Sequence, residues 1–129
     1  MERPVKCIPV EEARKLQNLW KKSRGKEIER GQGYEDTREF WYSIAELEEY
    51  INFVKKKSGE QGITNPGLRI YLGSYPSNGK KKSLTTIFIA PTIPGPGEKV
   101  LNGNEQEHIN NYSIDPLNDS NSGWPPTEY

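Results

Sequence analysis

Arg69, Tyr71 and Tyr75 stand at odd positions of the run Arg69-Ile70-Tyr71-Leu72-Gly73-Ser74-Tyr75. Successive side chains of a strand point to opposite faces, so the guanidinium and both phenols share one face, with Gly73 leaving a gap between them. Guanidinium stacks on rings and chelates carboxylate or phosphate, and a phenol joins an apolar ring to a polar tip. That face suits a small ligand or a protein partner presenting flat apolar surface beside polar groups. Leu68, Ile70 and Leu72 share the opposite face and read as core. Depending on register, the following strand adds Thr86, Phe88 and Ala90, or Thr85, Ile87 and Ile89, to the Arg69 side. An earlier strand adds Trp41, or else Phe40 and Tyr42. The plainer reading is that the chain covers this face itself, because sheets usually bury both faces. Trp20 or Trp124 would then lie over the tyrosines, and Arg69 would pair with a tail carboxylate.

Other chemistry is thin. His108 is the only histidine, set among Glu105, Glu107 and Asn110, and Cys7 is the only cysteine. One of each assembles no zinc site within a chain and no disulfide, so no metal and no cofactor is expected. Glu35, Asp36 and Glu39 precede the first strand; paired carboxylates do acid–base work or hold a divalent cation, but solvated loop charge is the simpler explanation. Gly73 to Gly79-Lys80 fails as a phosphate loop: its spacing is one residue too long, and Lys81 stands where Ser or Thr must reach magnesium. Gly95-Pro96-Gly97 lacks the third glycine of a dinucleotide fingerprint. A sheet with exposed aromatics and the basic tip Lys80 to Lys82 would suit single-stranded nucleic acid, yet the second helix and fourth strand of an RNA-recognition motif are missing. Lysines at an edge hairpin also deter sheet-to-sheet aggregation, which argues against that partner.

The elements that position these residues follow from pattern. Pro9 opens a first helix from Val10 through Trp20, with Glu11 and Glu12 at its positive end and Lys21, Lys22 and Arg24 in its last turn before Gly25. Residues 25–37 read as a loop. Residues 38–42 form a short aromatic strand. Ser43 and Glu46 then make a capping box for a second helix, with Ile44, Leu47, Ile51 and Val54 as its apolar stripe, Tyr50 and Phe53 at the margins and Gly59 at its end. A strand over about 68–75 runs through Asn78-Gly79, a strong hairpin signal, into a strand over about 84–91. The expected fold is α+β: a small three-stranded mixed sheet in β-α-β-β order, preceded by the N-terminal helix. If the first two strands are neighbours, the helix between them makes them parallel; the second helix covers Leu68, Ile70 and Leu72.

The 129 residues are neutral overall, but residues 1–92 hold 17 Lys and Arg against 12 Asp and Glu, and residues 93–129 hold 1 against 6. The organisation expected is a compact domain over 1–92 and an acidic extension over 93–129. Pro94-Gly95-Pro96-Gly97 forms a rigid, turn-rich exit, and the extension packs partly on the domain through its scattered large groups Val100, Leu101, Ile109, Tyr112, Ile114, Leu117, Trp124 and Tyr129. No apolar run reaches membrane-spanning length and no signal-peptide core is present, so the cytoplasm is the expected compartment.

The blocks Arg38-Glu39-Phe40-Trp41-Tyr42-Ser43-Ile44-Ala45-Glu46-Leu47-Glu48-Glu49-Tyr50-Ile51 and Gly67-Leu68-Arg69-Ile70-Tyr71-Leu72-Gly73-Ser74-Tyr75-Pro76, closed by Ile87-Phe88-Ile89-Ala90-Pro91-Thr92, resemble a family of small uncharacterised bacterial proteins with no assigned function. The resemblance spans about residues 5–92 and transfers no catalytic role. The function expected is a non-enzymatic binding or protein-interaction module. It uses Arg69, Tyr71, Tyr75, Trp41 and Trp124, or the tail, toward a protein or small ligand. A strand added at the sheet edge, from a partner or a second copy, is a further route. The alternatives are a weak single-stranded nucleic-acid binder, or an enzyme on a small polar or phosphorylated molecule. In the enzyme, Arg69 anchors an anion, a tyrosine donates a proton and Asp36 or Glu39 acts as base. The residue inventory leans away from catalysis without deciding it.

Overall fold

A computed structural model describes residues 1–99 and 106–129. Val100, Leu101 and Glu105, named above in the extension, lie outside the described residues. The chain is α+β. Its helices are α1 (Val10–Trp20), α2 (Lys26–Gln32) and α3 (Ile44–Glu60); its strands are β1 (Phe40–Trp41), β2 (Gly67–Ser74), β3 (Thr85–Lys99), β4 (Gln106–Asn110) and β5 (Asn121–Ser122). It divides into two compact units, Phe40–Ser122 and Met1–Glu39 with Gly123–Tyr129. Among the described residues no helix is long and apolar enough to cross a membrane.

In the larger unit, α3 begins as its sequence dictates. Ser43 Oγ accepts from the Glu46 amide (3.0 Å) and Glu46 Oε1 accepts from the Ser43 amide (3.3 Å), so two orphan donors are met reciprocally. The helix ends later than Gly59. Gly62, at φ +70°, takes the left-handed position after the helix, and the Ile63 amide reaches back to Ser58 O (2.8 Å) while Gly62 N reaches Gly59 O (3.0 Å). The buried face also differs from the expected stripe. Tyr50, Val54 and Ser58 are buried and Leu47 packs beside them, whereas Ile44 and Ile51 are exposed. Tyr50 sets this rotation: its hydroxyl lies 3.2 Å from Ile89 O and 2.9 Å from Asp115 O.

The main sheet runs β2-β3-β4 and is antiparallel throughout, which corrects the mixed sheet expected from the sequence. β1 stays out of it and pairs antiparallel with β5, Trp41 opposite Asn121. The place next to β3 is already filled. Its far edge takes β4 at Thr92–Pro94 and Leu117 at Ile89, where the two residues exchange main-chain bonds of 2.8 and 2.9 Å. Nor does the strand stop at Pro91, because a proline lacks the donor but keeps its carbonyl, and Pro91 O accepts from Asn111 N (2.9 Å). The expected turn at Pro94-Gly95-Pro96-Gly97 is instead strand up to Lys99, with a register shift after Pro94. Gly95 allows the closest approach to β4; a Cβ there would stand 2.7 Å from Glu107 O. The β2–β3 hairpin closes at Asn78 and Lys81, with Gly79 at φ +56° as the first of two central residues.

The core of this unit is Tyr50, Val54, Ile89 and Ile114, flanked by Tyr42, Leu47 and Leu117. Two of these seven come from the stretch expected to be an extension. Because α3 seats on the Ile89 column of β3, it leaves β2 uncovered. Leu68, Ile70 and Leu72 are 43, 65 and 77% exposed, correcting the expectation that this helix buries them.

In the smaller unit the expected loop at 25–37 is mostly helix. Helix α1 passes through a π-helical turn, Lys21–Gly25, into α2. Gly25 stays helical with the Trp20 ring against it; a Cβ would meet that ring at 3.1 Å. Glycine weakens a helix by about 1 kcal/mol without forbidding it. Gly33, at φ +88°, ends α2.

Candidate functional site

β2 and β3 pair Arg69 with Ala90, Tyr71 with Phe88 and Gly73 with Thr86, which decides the open register in favour of Thr86, Phe88 and Ala90. Directly opposite residues share a face, so Tyr71 and Phe88 stack, centroids 5.1 Å apart and planes at 19°. Ala90 is small enough for β2 side chains to reach across β3. Arg69 Nη1 donates to Asn110 Oδ1 (2.6 Å) and Nη2 to His108 O (3.1 Å), both on β4. Asn110 Nδ2 in turn donates to the Tyr71 hydroxyl (2.7 Å). The face is therefore tied together by a three-residue network, Arg69–Asn110–Tyr71, that joins β2 to β4 across β3.

Beside this network opens a cleft of about 320 Å³, with Tyr71, Phe88, Ala90 and Pro91 as its floor and Asn110 and Tyr112 on one wall. The Tyr71 oxygen accepts from Asn110 and keeps its own proton for an acceptor. The Asn110 bond, and after it the neighbouring Arg69 guanidinium, hold this phenol below its ordinary pKa. Burial pushes Tyr50 and Tyr42 the other way, with Asp115 adding to the rise at Tyr50. Asp115 and Pro116 complete the cleft.

Tyr75 and Trp41, in the same unit, do not join this cluster. Tyr75 donates to Asn118 Oδ1 (3.0 Å), and the Asn118 amide donates to Ile87 O (2.6 Å). Trp41 is exposed on β1. Trp124 belongs to the smaller unit and donates its indole proton to Glu35 O (2.6 Å). The carboxylates assigned to acid–base work are structural there: Asp36 Oδ1 accepts from Thr37 N (2.8 Å) and Glu39 Oε1 from Thr127 N (3.0 Å). Thr37 Oγ1 also donates to Gly123 O (2.6 Å), so the Trp124–Tyr129 segment is anchored at both ends of this loop. Among the described residues no group of three or more His, Cys, Asp or Glu is placed to hold a metal ion.

Asn110, Tyr112 and Asp115 were invisible as site residues in the sequence. They lie in a polar stretch whose only local signal is Ile109 and Ile114, and about forty residues separate Asn110 from Arg69.

Compared with known proteins, the chain matches no family model, no curated protein and no solved structure.

Proposed function

We propose that the chain is a non-enzymatic interaction module whose recognition element is β2. One observation carries this: among the described residues β2 is an edge strand, and its Leu68, Ile70 and Leu72 remain exposed although a helix is available to cover them. An unpaired edge presents a row of free amides and carbonyls, and an apolar stripe beside it favours pairing with another extended chain. Next to the stripe, Ile51, Val54, Pro66 and Leu68 line a groove of about 460 Å³.

A second copy of β2 fits the edge. Antiparallel pairing about a two-fold axis at Ile70 sets Leu68 against Leu72 and Ile70 against itself, so the stripe continues across the dimer. On the other face Arg69 then stands opposite Tyr71, and no like charges meet. The Lys80 to Lys82 tips fall at opposite ends.

Sedimentation equilibrium from micromolar to millimolar concentration tests this. The wild type is expected to dimerise, and Ile70→Lys to be monomeric, with the same thermal stability as the wild type at concentrations dilute enough for both to be monomers. A wild type that stays monomeric to millimolar concentration, with no protection of β2 amides by the peptide Gly67–Ser74, would overturn the proposal.

A second reading draws on the cleft at Tyr71, whose aromatic floor and phenolic donor suit a small polar ring compound. Tyr112→Ala, screened against a panel of such compounds by ligand-observed NMR, separates it from the strand-pairing reading, in which Tyr112, outside β2, takes no part.

A further inference from the structure

In the smaller unit Arg38 is the least expected cation. Its side chain is only 8% exposed, and its Nε–H is buried without a hydrogen-bond partner. It lines a cleft of about 270 Å³ at the π-helical turn, together with Trp20, Lys21, Lys22 and Lys26. Extra residues in π turns recur at functional sites, and here the turn includes Lys21 and Lys22, which line the cleft. The acidic residues around the cleft are largely engaged: Glu35 pairs with Arg38 Nη1 (3.3 Å), Asp36 accepts from Thr37 N, and Glu29 stands on α2.

The chain already places an oxyanion against two of these cations. Glu128 sits on Lys21 Nζ and on Arg38 Nη2 (3.2 Å), with the Gln17 amide at 3.5 Å. A carboxylate taken this way uses one arm of the guanidinium edge formed by Nη2 and Nε, and leaves the other arm unmet. Lys22 and Lys26 make no ion pair among the described residues.

We infer that this cleft is a binding site for a phosphate-type oxyanion, free or as the terminal group of a small phosphomonoester, and that Glu128 is its intramolecular competitor. A tetrahedral dianion has enough oxygens to take the Nε/Nη2 edge in a bidentate fashion while meeting the lysines, which a single carboxylate does not. Displacement of Glu128 frees the Trp124–Tyr129 segment at one of its anchors, so occupancy of the cleft and seating of that segment oppose each other.

The test is a titration of the full chain with inorganic phosphate, then with glycerol phosphate, with acetate as the monoanionic control. The Arg38 Nε–H cross-peak is followed by ¹H–¹⁵N NMR. The site predicts a saturable shift of that peak with both phosphates and a weaker response to acetate. Glu128→Gln should tighten phosphate binding by about two- to fivefold, the size of one exposed ion pair. Lys22→Ala combined with Lys26→Ala, both on the surface, should weaken it without changing the fold. If glycerol phosphate binds more tightly than phosphate, the ligand is an ester; equal affinities point to the free ion. A peak that does not move, or a phosphate affinity that neither substitution alters, overturns the inference.

Discussion

At the scale of single residues, the tyrosines divide by what surrounds each hydroxyl. Tyr71 receives a donated hydrogen bond from Asn110 and lies near Arg69, which favours its phenolate; Tyr50 and Tyr42 are desolvated, which favours the neutral phenol. On alkaline titration followed by ultraviolet absorbance, Tyr71 should ionise first and Tyr50 and Tyr42 last, and Tyr71→Phe should remove the earliest step. The signs for stability are opposite. Tyr71, with its folded pKa depressed, favours the fold most at pH above its unfolded pKa, and that contribution fades as pH falls through the folded value. Tyr50 and Tyr42, with raised pKa values, contribute below the unfolded pKa and lose that contribution as pH rises through the folded one.

At the scale of elements, helix α3 depends on its two ends as much as on its buried face. Ser43→Ala removes the acceptor for the Glu46 amide and should cost about 1 kcal/mol in chemical denaturation. The segment around Glu128 is held differently, by charge on the surface. The hydrogen bond from Lys21, and after it the Lys21 and Arg38 charges, keep the Glu128 carboxyl below its ordinary pKa of 4.5. A depressed carboxylate stabilises its contacts above the unfolded pKa and loses them as pH falls through the folded one. Acidification below the ordinary carboxylate range should therefore loosen this segment at its Glu128 anchor. The Tyr129 amide resonance, next to that anchor, reports it, and Glu128→Gln should reduce the pH dependence.

At the scale of the molecule, the larger unit owes its core to residues far apart in the chain. Ile114 and Leu117 complete the packing begun by Tyr50, Val54 and Ile89, and β4 closes the sheet. A chain ending at Thr92 should accordingly lose cooperative thermal unfolding. Truncating Ile89 to Ala should cost about 2–5 kcal/mol, the range for a buried large-to-small change. Ile70→Lys, on the exposed face, should stay within about 0.5 kcal/mol. The contrast matters because Ile70 and Ile89 are direct cross-strand neighbours on the same face. Similar stability losses at both positions would mean that the β2 stripe is buried, and would remove the basis of the proposed interaction surface.

Much of this architecture is legible in short stretches of chain. The capping box at Ser43, the alternation in β2, the hairpin at Asn78-Gly79 and the start of α1 each rest on bonds or patterns closed within a few residues, so the amino acids there are sufficient to specify them. Local signals misled in two places: Gly25 stays helical with the Trp20 ring, one turn back, against it, and β3 runs past Pro91 because the distant β4 accepts it as a neighbour. Which strand's column on the shared apolar face is covered was a tertiary decision. Apolar residues alternate along both β2 and β3, and only the docking of Tyr50 against Ile89 and Asp115 selects the β3 column and leaves Leu68, Ile70 and Leu72 in water. The same holds for Arg69, whose partner Asn110 arrives on a strand that alternation in β2 says nothing about, since a strand's pattern records its own two faces and not the identity of what crosses them.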